Sequence, residues 1–381
     1  MANTLTGLIP TLYEAVDVVS RELVGLIPSV RMDADVQRAA LNQTVSAFQT
    51  PASTATDITP AMTAPDTGDQ TIGKVDVTIT KARMVPVRWN GEEQRGVNTG
   101  PGYRNILRDQ FSQAMRTLCN EVEADLYTAI KTGASRAYGT AGTTPFGTAG
   151  DYTDAANLRR ILVDNGAPVG DLQMVVNTAA GANLRGKQGG RGVDQEGTPS
   201  LLRQGVLQDI HGFQVRESAA LITHTKGTGA SYVTNGSTAV GGTSVPLITG
   251  TGTVLAGDVV TFAADANNKY VVNTGIAAPG TIVLGAPGAR VTIATSNALT
   301  VGNSYTPSFG FARTAVVLAA RQPALPEEGD MAVDRVTVVD PVSGLAFEVA
   351  MYVGYRVVQY QVGLAWGVKV LKGEHAAILL G

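Results

Sequence analysis

The strongest hydrophobic pattern in the chain lies between residues 101 and 131. Apolar side chains recur there at steps of three and four, which places them in one stripe along an α-helix of about eight turns. The stripe consists of Leu107, Phe111, Met115, Leu118, Val122, Leu126 and Ile130. Such a helix is about 45 Å long, more than a compact domain usually needs. We therefore expect a strut against which other layers pack.

The ends and the outer face of this helix follow from the same stretch. Pro101 suits a first helical turn, and Gly133 suits a left-handed stop after Lys131, whose positive charge complements the end of the helix. The side opposite the apolar stripe is predicted to be polar. Its members are Arg104, Arg108, Arg116, Asn120, Glu123 and Lys131.

Two further patterns precede the long helix. Residues 10–24 carry apolar side chains at steps of three and four and predict a short amphipathic helix that ends at Gly25. Residues 44–50 and 74–89 alternate apolar and polar positions, and the stretch between them is rich in proline and threonine. The sequence therefore predicts a long β-hairpin over residues 44–90 with an exposed tip. Because an isolated hairpin is marginal in water, we expect it to lie on another subunit.

The second half of the chain contains a change of composition. From Thr223 to Tyr305 there are only five charged residues, whereas glycine and threonine are abundant. Short candidate strands at 253–263, 268–273, 281–285, 289–295 and 297–301 predict a small β-barrel or sandwich. Because helix and strand patterns resume afterwards, we interpret this unit as an insertion into a larger domain.

The remaining segments predict a helix at 157–166, strands at 172–177 and 211–218, and three or four closing strands from Met331. In the closing strands, Phe347, Val349 and Met351 alternate with Glu348 and Ala350, so that one face is buried. Packing of that face against the long helix predicts the α+β class.

Composition narrows the classes of function. The chain has 381 residues, enough for two or three packed units, and 16% are charged against about 25% in an ordinary soluble domain. This scarcity favours surface that is covered by neighbours. The formal net charge of −3 supplies no basic field for strong binding of nucleic acid.

The single cysteine, Cys119, excludes a disulfide within the chain and a cysteine-rich metal site. We expect a small buried or half-buried side chain there. The start of the sequence lacks a basic leader and has Glu14 and Asp17 where a secretory core would stand. No run reaches the eighteen or so apolar residues of a membrane span. The sequence therefore predicts neither secretion nor membrane insertion.

The segment from Gly181 to Gln188, GANLRGKQ, nearly matches a phosphate-binding loop. That motif requires a serine or threonine for the magnesium ion where Gln188 stands. A helix from Thr178 that runs into a glycine-rich loop is the interpretation we prefer. The two cations of residues 187–192 are weak evidence for contact with a phosphate backbone.

No other catalytic, cofactor-binding or metal site is predicted, and no cofactor. His211, His224 and His375 share no ligand spacing with one another or with acids. The acid pairs at 92–93 and 327–328 stand in turn contexts, which favours solvated charges or partners for arginines across an interface.

The order of these parts resembles the major capsid protein of tailed bacteriophages, the Hong Kong ninety-seven fold, and within it the coat proteins of the P-twenty-two type. The segment TLYEAVDVVSRELVGLIPSV is similar to that family's N-terminal arm. HGFQVRESAALITHTKGTGASYVTNGST is similar to the entry into its inserted β-barrel, TVLAGDVVTFA to a strand pair within the barrel, and EVAMYVGYRVVQYQVGLAWGVKVL to the closing strands.

The resemblance implies a shell subunit that tiles an icosahedral capsid as pentamers and hexamers and encloses double-stranded DNA without reading its sequence. It also implies a scaffolding protein and a portal as partners, no membrane, and a virion location after assembly in the bacterial cytoplasm. The expected parts are an N-terminal arm (1–43), an extended hairpin (44–98), the long helix with a peripheral domain (99–150), an axial domain (151–222 and 307–330), the inserted barrel (223–306) and the closing strands of the peripheral domain (331–381). The insertion is short for this family, so its loop between subunits is expected to be reduced.

Three other classes remain open from the sequence. A phage tail or adhesin protein would explain the β-rich unit, and a bacterial encapsulating shell would share the fold without a virus. An enzyme is the third alternative, although no convergent catalytic set is visible.

Overall fold

The computed structural model describes residues 25–49, 53, 55–63, 68–97, 103–148, 151–189, 207, 209–340 and 343–381. Its described helices are α1 (Gly91–Val97), α2 (Tyr103–Gly133), α3 (Thr153–Asp164) and α4 (Thr178–Gly189). The helix predicted at residues 10–24 and the helix start predicted at Pro101 lie outside these residues.

The described strands alternate with and follow the helices, and together they confirm the predicted α+β class. They are β1 (Arg31–Ala39), β2 (Thr44–Gln49), β3 (Gly73–Thr78), β4 (Lys81–Asn90), β5 (Arg136–Gly139), β6 (Leu172–Val176), β7 (Phe213–Glu217), β8 (Val233–Thr234), β9 (Ser244–Ile248), β10 (Val259–Phe262), β11 (Asp265–Thr274), β12 (Thr281–Leu284), β13 (Leu299–Val301), β14 (Pro307–Ala312), β15 (Val316–Pro323), β16 (Ala332–Val339), β17 (Ala346–Gly354), β18 (Val357–Val370) and β19 (Ala376–Leu380).

Helix α2, hereafter the spine helix, is the predicted strut. Every member of its apolar stripe is at most 2% exposed and belongs to the largest hydrophobic core. The stripe therefore follows the 3.6-residue period over the whole described helix. Gly133 does not take the expected left-handed conformation, because it is the last helical residue. A Cβ atom at Gly133 would lie 2.8 Å from a methyl carbon of Val370, so close packing explains the glycine there.

One position on the outer face of the spine helix contradicts the sequence prediction. Arg108, Arg116 and Lys131 are half-buried and Asn120 is exposed, as a polar face requires, but Glu123 is only 1% exposed. Its carboxylate accepts hydrogen bonds from the backbone of residues 26 and 27. Glu123 is buried because these donors, remote in the sequence, take the place of water.

A six-stranded sheet covers one side of the spine helix. The order is β1-β15-β18-β17-β16, and β4 lies along the other edge of β18. The face toward the helix carries Phe347, Val349 and Trp366, as the alternation in the closing strands predicts. The indole Nε1 of Trp366 donates a hydrogen bond to Asp125 of the spine helix at 2.8 Å. Apolar packing and this polar contact together fix the sheet to the helix.

The predicted hairpin is shorter than residues 44–90. Strand β2 pairs with β3 in antiparallel register from Thr44 opposite Thr78 to Gln49 opposite Gly73. From Lys81 onward the chain leaves this pair and runs as β4 beside β18. The second strand of the predicted hairpin thus continues as β4 in the six-stranded sheet. Its backbone partner there is β18, about 270 residues later in the chain. We call residues 44–78 the ribbon.

A second, mixed sheet lies on the opposite side of the core. Its order is β7-β6-β14-β19-β5, and the strands of the insertion extend it beyond β5. One face contributes Phe309 and Ile378 to the core of the spine helix. The other face packs against α3 and α4 in a separate core that contains Leu158 and Leu184. The strands predicted at 172–177 and 211–218 and the helix predicted at 157–166 are confirmed as β6, β7 and α3.

The insertion forms a small barrel. Its strands follow the order β13-β10-β11-β12-β9-β8. The ring is closed by backbone hydrogen bonds from the N–H of Thr234 to the carbonyl of Asn297 and from the N–H of Leu299 to the carbonyl of Tyr232. The interior is a separate hydrophobic core around Tyr232, Phe262, Tyr270 and Ile282. Its two chain ends are joined, since the hydroxyls of Thr223 and Thr306 lie 2.9 Å apart. A closed ring leaves few free strand edges.

The strand predictions differ from the structure at several places. Residues 289–295, predicted as a strand, make only an isolated bridge between Ile293 and Thr238. Strand β9 was not predicted, and neither was β1, whose polar sequence RMDADVQRA gives no alternation signal. Strand β1 forms because its backbone pairs with the backbone of β15, and its own side chains give no sign of this pairing.

The two sheets do not follow the expected division of the chain. Strand β15, within the segment 307–330, lies in the sheet of the closing strands, whereas β19, within 331–381, lies in the other sheet. Strand β11 of the insertion pairs with β5 through Lys269 opposite Ala137 and Tyr270 opposite Arg136. The assignment of these segments to separate domains stays a prediction.

We expect residues 223–306 to fold when expressed alone, because they contain their own core and joined ends. A proton–nitrogen correlation spectrum at low concentration should show dispersed peaks, and thermal melting should be cooperative. Excision frees the short stretch of β11 that pairs with β5, so the fragment is expected to associate at high concentration. Random-coil shifts at low concentration would contradict an autonomous barrel.

Candidate functional site

The ribbon carries several exposed apolar side chains, which are unusual on the surface of a hairpin. Phe48 is 81% exposed on β2, and Ile58, Met62 and Ile72 are exposed in the described parts of the loop and its return. At its base, Val77 and Ile79 are buried against Ala319 and Ala365 of the six-stranded sheet. The base is therefore anchored, whereas the outer part presents apolar groups for contact with another surface.

An open cavity of about 390 Å³ lies on the sheet face opposite the spine helix. Glu348, Ala350 and Tyr352 point into it, since they alternate along β17 with residues of the core. Met84, Pro323 and Leu325 supply apolar walls.

A network of charges forms the floor of this cavity. Glu348 is 7% exposed and accepts hydrogen bonds from Arg38 of β1 at 2.5 Å and from Arg335 of β16 at 3.1 Å. Asp330 pairs with Arg335 and accepts a hydrogen bond from the Tyr352 hydroxyl at 2.8 Å. Because each carboxylate is matched by an arginine, the arrangement fastens three strands together and leaves no free base for catalysis.

The segment that resembles a phosphate-binding loop is helical. Thr178–Gly189 forms α4, so its backbone amides are used within the helix and do not form a cradle around an anion. Arg185 pairs with Glu217, and the Lys187 ammonium lies 5.5 Å from the ring centre of Phe146 and 5.3 Å from that of Tyr152. The helix expected from Thr178 is confirmed; residues 190–192 lie outside the described part.

The three histidines lie in different parts of the fold. His211 is an exposed turn residue, and His375 is buried in the short helical turn before β19. His224 is buried at the entry to the barrel, where its Nε2 lies 2.8 Å from Oδ1 of Asp258. Asp258 also accepts hydrogen bonds from the backbone of Gly227 and Leu255. The contact between His224 and Asp258 connects the segment that enters the barrel to the turn before β10.

The two pairs of acidic residues lie at a helix start and in a turn. Glu93 and Asn90 exchange hydrogen bonds between side chain and backbone at the start of α1, as in a capping box. Glu327 and Glu328 are exposed in a turn, as predicted. Within the described residues, no group of three or more histidine, cysteine or acidic side chains is placed to hold a metal ion. No described helix is both long and apolar enough to span a membrane.

Cys119 lies on the spine helix and is 1% exposed. Burial, the nearby Asp340 and Glu123 together raise the pKa of its thiol to about 12. A thiol with so high a pKa is protonated at neutral pH and is a poor nucleophile. The side chain acts as a small apolar group in the core, as the sequence predicts.

The similarity of this chain to known proteins is found in its structure. No protein-family model and no curated protein matches the chain. The capsid structure of the cyanophage P-SCSP1u is similar with a TM-score of 0.49 and 10% identity over 94% of this chain and 88% of that one. A chain of Mycobacterium phage Che8 has a TM-score of 0.46 and 13% identity over 90% and 88% of the two chains. The virus-like particle from Pyrococcus furiosus has a TM-score of 0.44 and 10% identity over 98% and 99%.

Proposed function

We propose that this chain is the major capsid protein of a tailed bacteriophage. In this proposal, copies assemble as pentamers and hexamers into an icosahedral shell that encloses double-stranded DNA. The role is mechanical containment, and the chain catalyses no reaction. The virion is its final location, after assembly in the cytoplasm of the bacterial host.

The exposed apolar side of the ribbon is the observation that carries this proposal. A two-stranded ribbon alone is marginal in water, and this one adds Phe48, Ile58 and Met62 to its exposed surface. Burial of one such side chain contributes about 1.5–3 kcal/mol. Contact of the ribbon with another chain would therefore bring a substantial gain in free energy.

The open sheet face supplies a surface of matching character. Its cavity combines apolar walls at Met84, Pro323 and Leu325 with the paired charges around Glu348. We infer that the ribbon of one subunit lies on this face of a neighbour. Ribbon and face are different surfaces of the same chain, so the contact is heterologous and closes into a ring or a shell when the rotation permits.

The charge of the chain is compatible with enclosing DNA. With a formal net charge of −3, the shell would contain nucleic acid without the strong salt-dependent attraction that a basic lining produces. Release of the genome then requires little electrostatic work. A scaffolding protein and a portal are the further partners that we propose for assembly and packaging.

Sedimentation velocity over a series of protein concentrations tests the proposal. At low concentration we expect slowly sedimenting subunits or small oligomers. At high concentration we expect a rapidly sedimenting, homogeneous species of shell size, because many identical contacts form cooperatively in a closed shell. A broad distribution of lengths would favour a tail fibre. A monomer at every concentration would contradict a shell and reopen the possibility of an enzyme.

A further inference from the structure

Glu123 joins three remote segments through its buried carboxylate. Oε1 accepts hydrogen bonds from the backbone N–H of Leu26 at 2.9 Å and of Ile27 at 3.0 Å. Oε2 accepts one from the hydroxyl of Ser218 at 3.0 Å and a longer one from the N–H of Leu26 at 3.2 Å. The partners lie about a hundred residues away on both sides in the sequence. The carboxylate is thus the common attachment point of the spine helix, the turn at residues 25–29 and the segment after β7.

The turn held in this way, residues 25–29, is the junction between the core around the spine helix and strand β1. Leu26 and Ile27 are fully buried in the core of the spine helix, and the Ser29 hydroxyl donates to the carbonyl of Gly25 at 2.7 Å. Strand β1 begins two residues after Ser29. A Cβ atom at Gly25 would lie 2.5 Å from the carbonyl oxygen of Glu217, so the backbone packs too closely there for any side chain.

No cation faces Glu123 as an ion-pair partner among the described residues. Cys119 lies one turn earlier on the spine helix, and Asp340 adds negative charge near that thiol. On β7, Arg216 donates to Ser29 and Gln173, while Glu217 is paired with Arg185. The turn at residues 25–29 carries no titratable side chain. Within the part of the chain that the structure describes, the negative charge of Glu123 is therefore stabilised by hydrogen bonds and by no ion pair.

Burial raises the pKa of Glu123 to about 7 from an ordinary 4.5, although hydrogen bonds from Ile27, Ser218, Leu26 and Gly25 lower it. In the acid form, one oxygen still accepts from residues 26 and 27, while the new O–H can donate to the Ser218 oxygen. The buried charge then disappears without loss of the junction contacts. Because the pKa of the folded state is raised, the contribution to stability is complete below pH 4.5 and is lost as pH rises through 7.

We propose that Glu123 is a proton-dependent anchor that fastens the turn at residues 25–29 to the spine helix when protonated and loosens it when ionised. The anchor acts within a single subunit, so it does not depend on what the subunit assembles into.

Hydrogen exchange at the amides of Leu26 and Ile27 tests this proposal in the full-length chain. After correction for intrinsic exchange rates, we expect protection of these amides to fall about tenfold between pH 6 and pH 8. Glu123→Gln keeps an oxygen acceptor but cannot ionise, so its protection should stay constant over the same range. Glu121→Gln, on the same helix, is the matched control and should behave like the unmodified chain.

Two results would overturn the proposal: constant protection in the unmodified chain, or the same fall in Glu123→Gln. If Glu123→Gln does not fold, carbon-13 spectra of the unmodified chain labelled in glutamate provide an independent measurement. One carboxyl resonance should then titrate near pH 7. Titration of every glutamate below pH 6 would contradict a proton-dependent anchor.

Discussion

Leu118→Asp is expected to prevent the subunit from folding into soluble protein. Leu118 is 1% exposed, in the middle of the apolar stripe between Met115 and Val122. The substitution removes core packing and buries a carboxylate without a partner, at a combined cost of about 5 kcal/mol or more. That cost is comparable with the total stability of about 5–15 kcal/mol of a typical domain. The soluble fraction after expression measures the effect.

Asn120→Asp is the matched control for this experiment. It introduces the same carboxylate two residues away on the same helix, at an exposed position. Its solubility and its thermal unfolding should match those of the unmodified chain. Soluble Leu118→Asp with an unchanged melting temperature would show that the stripe is not the core of the fold.

Shortening the ribbon is expected to abolish assembly and leave the subunit folded. Deletion of residues 54–70 removes the exposed Ile58 and Met62 but leaves β2, β3 and their buried base. Loop tips tolerate such changes, whereas contacts between subunits do not. Light scattering should show no large particles, and circular dichroism should show cooperative melting near the original temperature.

Two substitutions of Phe48 separate the apolar contact from the length of the ribbon. Phe48→Asp should block assembly, because an exposed side chain is replaced by a charge that resists burial at an interface. Phe48→Leu keeps an apolar group and should still assemble. Unfolding of the deletion variant or of Phe48→Asp would mean that the ribbon belongs to the subunit's own core. Normal assembly of Phe48→Asp would exclude Phe48 from the contact.

Sequence patterns predict those helices and strands in which the residues of the element itself determine which face is buried. The stripe of the spine helix, strand β6 and the closing strands are examples, because a continuous apolar face requires burial wherever the chain goes. The change of composition at Thr223 and the return of helix and strand patterns near Phe309 likewise mark the segment that contains its own hydrophobic core.

Contacts between remote segments could not be predicted in this way. Glu123 was assigned to the polar face because a charge on a helix is normally solvated. Its donors are two backbone amides, which carry no sequence signal, and the hydroxyl of the remote Ser218. Strand β1 is held by β15, and the course of β4 is determined by β18. The pairing of β11 with β5 likewise depends on two strands more than a hundred residues apart. Each of these features results from tertiary pairing.

Electron cryomicroscopy of the purified protein, concentrated until it assembles, tests the central claim most directly. We predict closed shells built from clusters of five and six subunits, with the ribbon of each subunit on the open sheet face of a neighbour near Glu348 and Pro323. Fibres, dispersed monomers, or a shell in which the ribbon folds back onto its own subunit would contradict the account.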